Sequence, residues 1–553
     1  MNDLPVGLTT VLPTVIAFLL PLFTLRFKSR MLYASITTAT TLTVWLLTLV
    51  NFMKVLTGEV LTYAFGGWPP PLGIVYVVDT LNGVLGFLAA TLFLLASIYM
   101  FWYFDRIESG HEWLSTLTLV LLSGVLGCLY TGDLFNFFVM LEVLSISSYA
   151  LVTFFRRRKW AVEASMAYSF IGALATMLFF FGVIFIYASF GTVNMADLIV
   201  KVHAIPELSL NSLERWSGAC PGSWCYGNVF ISSALAIAFM LWALNFEAGI
   251  FPNNYWMPSA YAESPTPASA LFAGIVDKVG TYGVLRLFIT VFTVYGSTLM
   301  FSVGGFAFRD LVLITLSTLG LVTGYLGALL MFPQRNVKRL LTYSTISHIG
   351  IIFTAFSAFL SHVSPEASAE ALAGIVLHMV THAFGEFLLF IGLGTLSVVV
   401  GSTNLARMSG LGGKYPLLIA SISLGFLSLL GVIPLAGFFS KYVIFTALIN
   451  AGLPMHAISI VLISGISALG YFKVIYTLMI GRRSEVTPGK TRLYIPTIIT
   501  VVLATLLIAL GVLLTQSSFV NLLMEYSREL MSVNGLLKYV DAVNNLGTLL
   551  GGA

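Results

Sequence analysis

The chain has 553 residues, 58% hydrophobic and 9% charged, against roughly 25% charged in a typical soluble protein. So few charges cannot clothe a water-facing surface, which excludes a soluble globule. The net charge of +4 is spread through short loops with no basic tract interleaved with aromatics, which excludes nucleic-acid binding. Apolar runs of 18 or more residues recur along the chain, each long enough to cross a hydrocarbon core of about 30 Å. Stretches such as Leu117 to Leu129 and Ile498 to Leu514 do not alternate as β-barrel strands do. The expected fold is therefore all-α and polytopic.

In chain order, about fourteen spans are expected near residues 5–25, 31–52, 75–101, 114–131, 133–155, 162–189, 229–261, 266–295, 307–331, 340–361, 370–399, 416–448, 455–480 and 495–515. The first begins at Pro5 without a basic region before it or a small-residue cleavage site after it, so it reads as a span and not as a signal peptide. With both ends placed outside, the cytoplasmic loops hold Arg26, Lys28, Arg30, Arg106, Arg156, Arg157, Arg158, Lys159, Arg335, Lys338, Arg339, Arg407, Lys414, Arg482, Arg483, Lys490 and Arg492. The outer segments hold only Lys54, Lys201, Arg215, Arg309, Arg528 and Lys538, as the positive-inside rule requires. From Ser517 to Leu549, apolar residues recur among Glu525, Arg528 and Glu529, a helical pattern too polar to span and suited to the outer face or to a neighbouring subunit.

Eight ionisable residues fall at apparent membrane depth: Glu142, Glu247, Asp277, Lys278, Arg286, Glu386, Lys441 and Lys473. Each costs at least about 2.5 to 3.5 kcal/mol at a helix centre, so they are expected to face protein or trapped water. His348, His378 and His382 join them. Ion pairing between helices is the structural reading of any one of these groups; for the whole set, a transport pathway is the stronger one. Two spans are interrupted by proline, at Glu247 to Pro252 and at Gly431 to Pro434 ahead of Gly437 and Lys441. Proline frees a carbonyl, and such breaks persist where buried water or neighbouring groups satisfy it. Lys278 follows Glu247 by 31 residues and Lys473 follows Lys441 by 32, so a broken charged helix followed by a helix with a buried lysine occurs twice. Paired discontinuous helices point to an ion site near the midplane.

His378, His382 and Glu386, in HMVTHAFGE, are spaced i, i+4, i+8 and stack on one helix face about 6 Å apart. The spacing suits a proton relay, because imidazole accepts and donates near neutral pH and a carboxylate can hold the proton or bias the histidines. A two-histidine zinc clasp or haem ligation is the metal alternative, weakened by the missing HExxH glutamate and third ligand; a purely structural role is the other. Asp277 and Lys278 are adjacent, about 100° apart on a helix, and are expected to seek different partners, leaving Lys278 free to face the pathway. Cys220 and Cys225 lie in the long outer loop where a disulfide can form, and Cys128 reads as a small hydrophobe.

Five stretches carry a resemblance: FVMLEVLSISSYALV around Glu142, NYWMPSAYAESPTPASALFAGIVDKVGTYGVLRL, NVKRLLTYSTISHIGIIF, THAFGEFLLF and GVIPLAGFFSKY. In this order, over roughly residues 75–480, the chain resembles the antiporter-like subunits of respiratory complex I and of Mrp-type cation/proton antiporters. PTPASALFAG and FFSK are similar to the Mrp D-type subunit and its relatives in archaeal membrane-bound hydrogenase and sulfane reductase complexes. The resemblance implies fourteen helices, two inverted five-helix repeats and discontinuous helices 7 and 12. The chain then divides into 1–110 (helices 1–3), 111–300 (first repeat, helices 4–8), 301–485 (second repeat, helices 9–13) and 486–553 (helix 14 and the amphipathic tail). It also implies that Glu142 is the fifth-helix glutamate, Lys278 the eighth-helix lysine, His348 a tenth-helix polar position, His378 and His382 the eleventh-helix histidines and Lys441 the twelfth-helix lysine. Two positions depart from the family: Glu247 and Glu386 stand where lysine is usual. Glu142 and Glu247 at close range would call for a shared proton or an intervening cation, Lys278 or Na⁺.

The functional expectation is an ion-translocating subunit of a redox-driven complex, carrying H⁺ or Na⁺ along Glu142, Glu247, Lys278, His348, His378, His382, Glu386 and Lys441. Asp277, Arg286, Lys473, Pro252 and Pro434 support that path. No CxxC series, GxGxxG or haem motif occurs, so no cofactor or metal is expected in this chain. The redox chemistry then belongs to partners: other membrane subunits in the cell membrane and, through them, a peripheral Fe–S arm. The rival readings are a stand-alone secondary antiporter or solute transporter, and an inactive anchor indifferent to loss of its buried charges.

Overall fold

The structure, a computed structural model, describes residues 3–24, 26, 29–202, 229–293, 301–481 and 492–551. In an apolar medium every backbone group must be satisfied within its own segment, and these sequences accordingly fold almost wholly as helices. Helices α1 (Leu4–Thr24) and α2 (Arg30–Val55) lead into a small antiparallel hairpin, β1 (Leu61–Ala64) and β2 (Val75–Val78), with Leu61 opposite Val78. There follow α3 (Thr80–Tyr103), α4 (His111–Tyr130), α5 (Leu134–Val152), α6 (Lys159–Phe190) and the short α7 (Met195–Val202). Next come α8 (Val229–Ala248), α9 (Met257–Glu263), α10 (Thr266–Leu271) and α11 (Asp277–Arg286), with π turns at Phe272–Val276 and Leu287–Val291. After a two-residue hairpin, β3 (Ser302–Val303) and β4 (Phe306–Ala307), the chain forms α12 (Phe308–Met331), α13 (Val337–Thr354) and α14 (Pro365–Val400). It continues as α15 (Pro416–Leu430), α16 (Ala436–Asn450), α17 (Pro454–Met479), α18 (Tyr494–Leu513), α19 (Ser517–Met531) and α20 (Val533–Gly551).

Among the described residues, twelve helices are long and apolar enough to cross a membrane. The two expected spans outside that set are the informative ones. Residues 266–291 are helical throughout but are divided by the π turns and carry Asp277, Lys278 and Arg286. Residues 416–450 form two helices of 15 residues each, about 22 Å apiece and too short to cross alone. The expected seventh span also stops early, at Ala248, with α9 a separate element.

Both interruptions fall where proline placed them. α8 ends at Gly249 (φ 76) and α15 at Gly431 (φ 94), a left-handed geometry that glycine adopts without Cβ strain. Helix starts are set by side-chain caps: Asp79 and Asn82 form a reciprocal capping box on α3, and Asp133, Asn336 and Ser364 cap α5, α13 and α14. α13 and α14 are buried along most of their length and form the centre of the bundle. α2, α6, α17 and α18 instead display apolar side chains such as Phe170 and Val461 outward, as lipid-facing helices do.

The tail does not span. α20 packs on α7 and on β1 and β2, α19 on α14 and α3, and the Tyr526 hydroxyl donates to the Leu56 carbonyl at 2.7 Å. Tyr539 of α20 lies over the Arg286 guanidinium, 5.6 Å from ring centre to Cζ. Cys128 is buried; Cys220 and Cys225 fall outside the described residues.

Candidate functional site

The central helix α14 presents His378, His382 and Glu386 one turn apart, and the ring centroids of the two histidines are 6.0 Å apart. α13 inserts His348 beside them: its Nδ1 is 3.0 Å from His378 Nε2, and its ring centre is 4.8 Å from that of His382. His348 Nε2 is 3.1 Å from the Tyr471 hydroxyl on α17. That hydroxyl is 2.8 Å from Ser344 Oγ, which donates to Glu386 Oε1 at 2.7 Å. In the other direction His378 Nδ1 lies 2.9 Å from Ser440 Oγ, next to Lys441 in sequence. A hydrogen-bonded run therefore joins Ser440, His378, His348, Tyr471, Ser344 and Glu386, all of them buried. His382 flanks this run: its Nε2 is 3.6 Å from Glu386 Oε1, outside hydrogen-bond range, and neither ring nitrogen has a partner among the described residues.

Lys441 is placed by the helix break. α15 stops at Leu430, and its last carbonyls have no partner further along the helix. The Lys441 ammonium, on α16, donates to Leu429 O at 2.6 Å, to Leu430 O at 3.4 Å and to Ser464 Oγ at 2.9 Å. The cation sits at the negative end of α15, where a helix favours positive charge. Gly437 permits the close fit, since a Cβ there would lie 1.9 Å from Ser428 O.

The first half is arranged otherwise. Lys278 and Asp277 do pair, Nζ to Oδ1 at 2.9 Å, against the expectation that neighbours on a helix seek separate partners. Both side chains are essentially inaccessible, and among the described residues neither has another opposite charge within 4 Å. The flexible lysine stem folds back to pair, also donating to Ala273 O in the π turn at 2.8 Å. Lys278 is thus engaged, not free. Glu247, in the last turn of α8, is buried with Oε1 lacking any partner among the described residues. Glu142 is only half-buried.

The supporting residues separate by role. Arg286 makes a two-pronged ion pair with Asp79, Nη1 to Oδ2 at 2.6 Å and Nη2 to Oδ1 at 3.0 Å, and donates to the Tyr282 hydroxyl. Lys473 departs from the expected buried lysine: it is half-buried and donates to Phe332 O and Gln334 O, both at 2.7 Å, beyond the end of α12. Lys338, counted with the loops, is instead buried in the first turn of α13, donating to Ser264 O and Ser269 Oγ at the break between α9 and α10. Pro252 and Pro434 lie in the two breaks.

The elements that carry these groups are neighbours in order: α11 packs on α8, the π turn at Phe272–Val276 that leads into Asp277 and Lys278 packs on α14, and α14 packs on α16.

The transmembrane family model of NADH:quinone oxidoreductase and Mrp antiporters matches residues 131–467. The chain belongs to that family. A curated relative, NADH-quinone oxidoreductase subunit N of Desulforudis audaxviator, is 29% identical over 467 residues, covering 82% of this chain and 84% of the relative. The D-type subunit of the Na⁺/H⁺ antiporter of Alkalihalophilus pseudofirmus is 29% identical over 450 residues, covering 81% of each. Among solved structures, a chain of the membrane-bound sulfane sulfur reductase, an archaeal respiratory membrane complex, superposes with a TM-score of 0.80 at 26% identity, covering 97% of this chain and 99% of that one. The fold of this antiporter-family chain, and its resemblance to antiporter-like subunits, stand on these matches. Tyr471, Ser344, Ser440 and Ser464 were not foreseen. Ser344 and Ser440 lie inside motifs already singled out, one residue class short of notice. Tyr471 carried no signal, since tyrosine is ordinary in spans.

Proposed function

We propose that this chain is the ion-translocating subunit of a redox-driven, multi-subunit membrane complex, and that protons move between Lys441 and Lys278 through the buried histidines. The observation that carries the proposal is the hydrogen-bonded run from Ser440 to Glu386. Imidazole and hydroxyl groups accept a proton on one side and release one on the other, so they relay H⁺ without moving far. Lys441 serves as one terminal proton carrier. Glu386, between Ser344 and the Lys278 end, is the second, and His382 flanks the exchange. Glu247 and Glu142 extend the line outward from Lys278 in the first half.

In this reading the oxidation chemistry and any Fe–S groups reside in partner subunits, and this chain supplies no cofactor. Relatives named as single subunits of a quinone oxidoreductase and of an antiporter support that division of labour. The chain sits in the cell membrane with both termini outside, an orientation supported by the basic-residue count. The test is isolation from native membranes: identification of the copurifying chains, then reconstitution and measurement of substrate-driven proton uptake with and without Na⁺. Redox-driven uptake that persists without Na⁺ and is lost in His348→Ala is expected. Full-rate cation/proton exchange by the chain alone would replace the complex-subunit reading with that of a secondary antiporter.

A further inference from the structure

A cleft of about 730 Å³ opens between the turn joining α3 to α4, the turn joining α5 to α6, the first turn of α13 and the end of α14. Five cations line it, Arg106, Arg156, Arg157, Arg158 and Lys338, against the one carboxylate of Glu108. Two of the five are already engaged: Arg106 binds Asp105 and the Trp102 carbonyl, and Lys338 binds Ser264 and Ser269. Arg156, Arg157 and Arg158 are exposed and, among the described residues, have no carboxylate within 4 Å. Their turn is nonetheless well anchored. Gly110 (φ 87) lets the next loop approach Phe154 so closely that a Cβ would lie 3.0 Å from the ring. Arg158 N donates to Phe155 O at 2.8 Å, and its guanidinium covers the Phe155 ring.

Arg158 is also the N-cap of α6, a 32-residue helix whose first turn has no side-chain cap. The free backbone N–H groups there add a positive end to the same wall. Trp113 in the first turn of α4 and Trp160 in the first turn of α6 stand 53% and 64% exposed. Exposed indoles at helix ends mark headgroup depth in a membrane. The cleft thus combines three forked cations without counter-charge, a positive helix end and an interfacial position.

We propose that this cleft binds the phosphate of an acidic phospholipid headgroup, held by Arg156, Arg157 and Arg158 above Lys338. Guanidinium forks match phosphate oxygens two at a time. A zwitterionic headgroup would bring its own cation into a cleft that offers only Glu108 to receive it, so the site discriminates by charge. The site is independent of the proposed proton path, and its test does not read transport.

The experiment titrates the full-length protein in detergent micelles with fluorescent phosphatidylglycerol, fluorescent phosphatidylcholine and inorganic phosphate as competitor. Wild type should prefer phosphatidylglycerol by about tenfold. The triple variant Arg156→Gln, Arg157→Gln, Arg158→Gln should lose that preference, and Arg335→Gln with Arg407→Gln, outside the cleft, should keep it. Should the triple variant not fold, Arg157→Gln alone should lower the preference about threefold with an unchanged elution profile. Displacement of the lipid by millimolar phosphate supports phosphate as the recognised group. Equal binding of both lipids, a preference unchanged in every arginine variant, or inorganic phosphate bound more tightly than phosphatidylglycerol would overturn the proposal.

Discussion

Gly249 and Gly431 end two helices in the same left-handed geometry, and each break is followed by a helix that bears charge, yet the two halves of the molecule fill the device differently. In the second half a cation is delivered to the negative end of the broken helix: Lys441 takes the Leu429 and Leu430 carbonyls. In the first half a carboxylate, Glu247, occupies the last turn of the broken helix, where the helix end disfavours negative charge, and the nearby cation Lys278 is bound to Asp277. Smaller features recur more faithfully. Asp133 caps α5 and bridges to Asn194; Asn336 caps α13 and bridges to Asn404. These local backbone features thus recur more strictly than the charges beside them. The second half offers a continuous hydrogen-bonded run from Ser440 to Glu386, whereas the first offers an ion pair that, in the proposed function, must open before Lys278 can exchange a proton.

The largest effect tests that ion pair. Asp277→Asn leaves Lys278 buried without its counter-ion, which should lower stability by about 3–5 kcal/mol, read as a drop in thermal unfolding temperature in detergent. Adding Lys278→Met should recover most of the lost stability while abolishing transport, since the proton carrier is gone. A single variant as stable as wild type would mean that the pair is not formed in the membrane, and the contrast between the halves would disappear.

At the other end of the line, Lys441→Ala should reduce proton uptake about a hundredfold, the scale of a positioned proton-transfer group, while assembly survives because the cation is bound only to two carbonyls and a serine. Lys441→Arg should fail as well, since a guanidinium does not release its proton. Wild-type uptake by either variant, measured with a pH-sensitive dye in proteoliposomes, would remove Lys441 from the pathway.

The unequal visibility of the two halves has a physical origin. Apolar run length marks helices because lipid permits little else, and proline marks the breaks because it removes an N–H; both are local properties. The i, i+4, i+8 row of His378, His382 and Glu386 is local too, and the three residues do share one face of α14, but the hydrogen-bonded run passes through His348 and leaves His382 aside. What needs a partner from another helix was not legible. Nothing local says that His348 enters between the two histidines, that Tyr471 spans from His348 to Ser344, or that Lys278 closes on its own neighbour. Nor did the recurrence of a lysine 32 residues after Lys441 distinguish a buried group from Lys473 at a helix end.

A smaller loss is expected where the wire runs through a hydroxyl. Tyr471→Phe keeps the aromatic ring, which packs 5.3 Å from that of Phe426, and removes only the oxygen between His348 and Ser344. Uptake should fall about tenfold, with stability changed by about 1 kcal/mol for the lost hydrogen bonds. Ser344→Ala should give a similar loss, and the double variant little more than either alone, because both interrupt one link. Additive losses would indicate two parallel routes to Glu386.

The smallest effect is expected at Lys473. By spacing it mirrors Lys278, but its ammonium holds Phe332 O and Gln334 O and is half-exposed, so it serves as a clamp on the turn after α12. Lys473→Met retains the stem and removes two charge-assisted hydrogen bonds to carbonyls that water can reach, a change of about 1 kcal/mol or less in stability. Proton uptake should match wild type across the pH range, because no group of the Ser440-to-Glu386 run touches this lysine. Were uptake to fall as steeply as in Lys441→Ala, with stability unchanged, Lys473 would belong to the path. The second half would then carry two exchangeable lysines, one at the helix break and one at its far end, and the contrast with the first half would lie in number as well as in pairing.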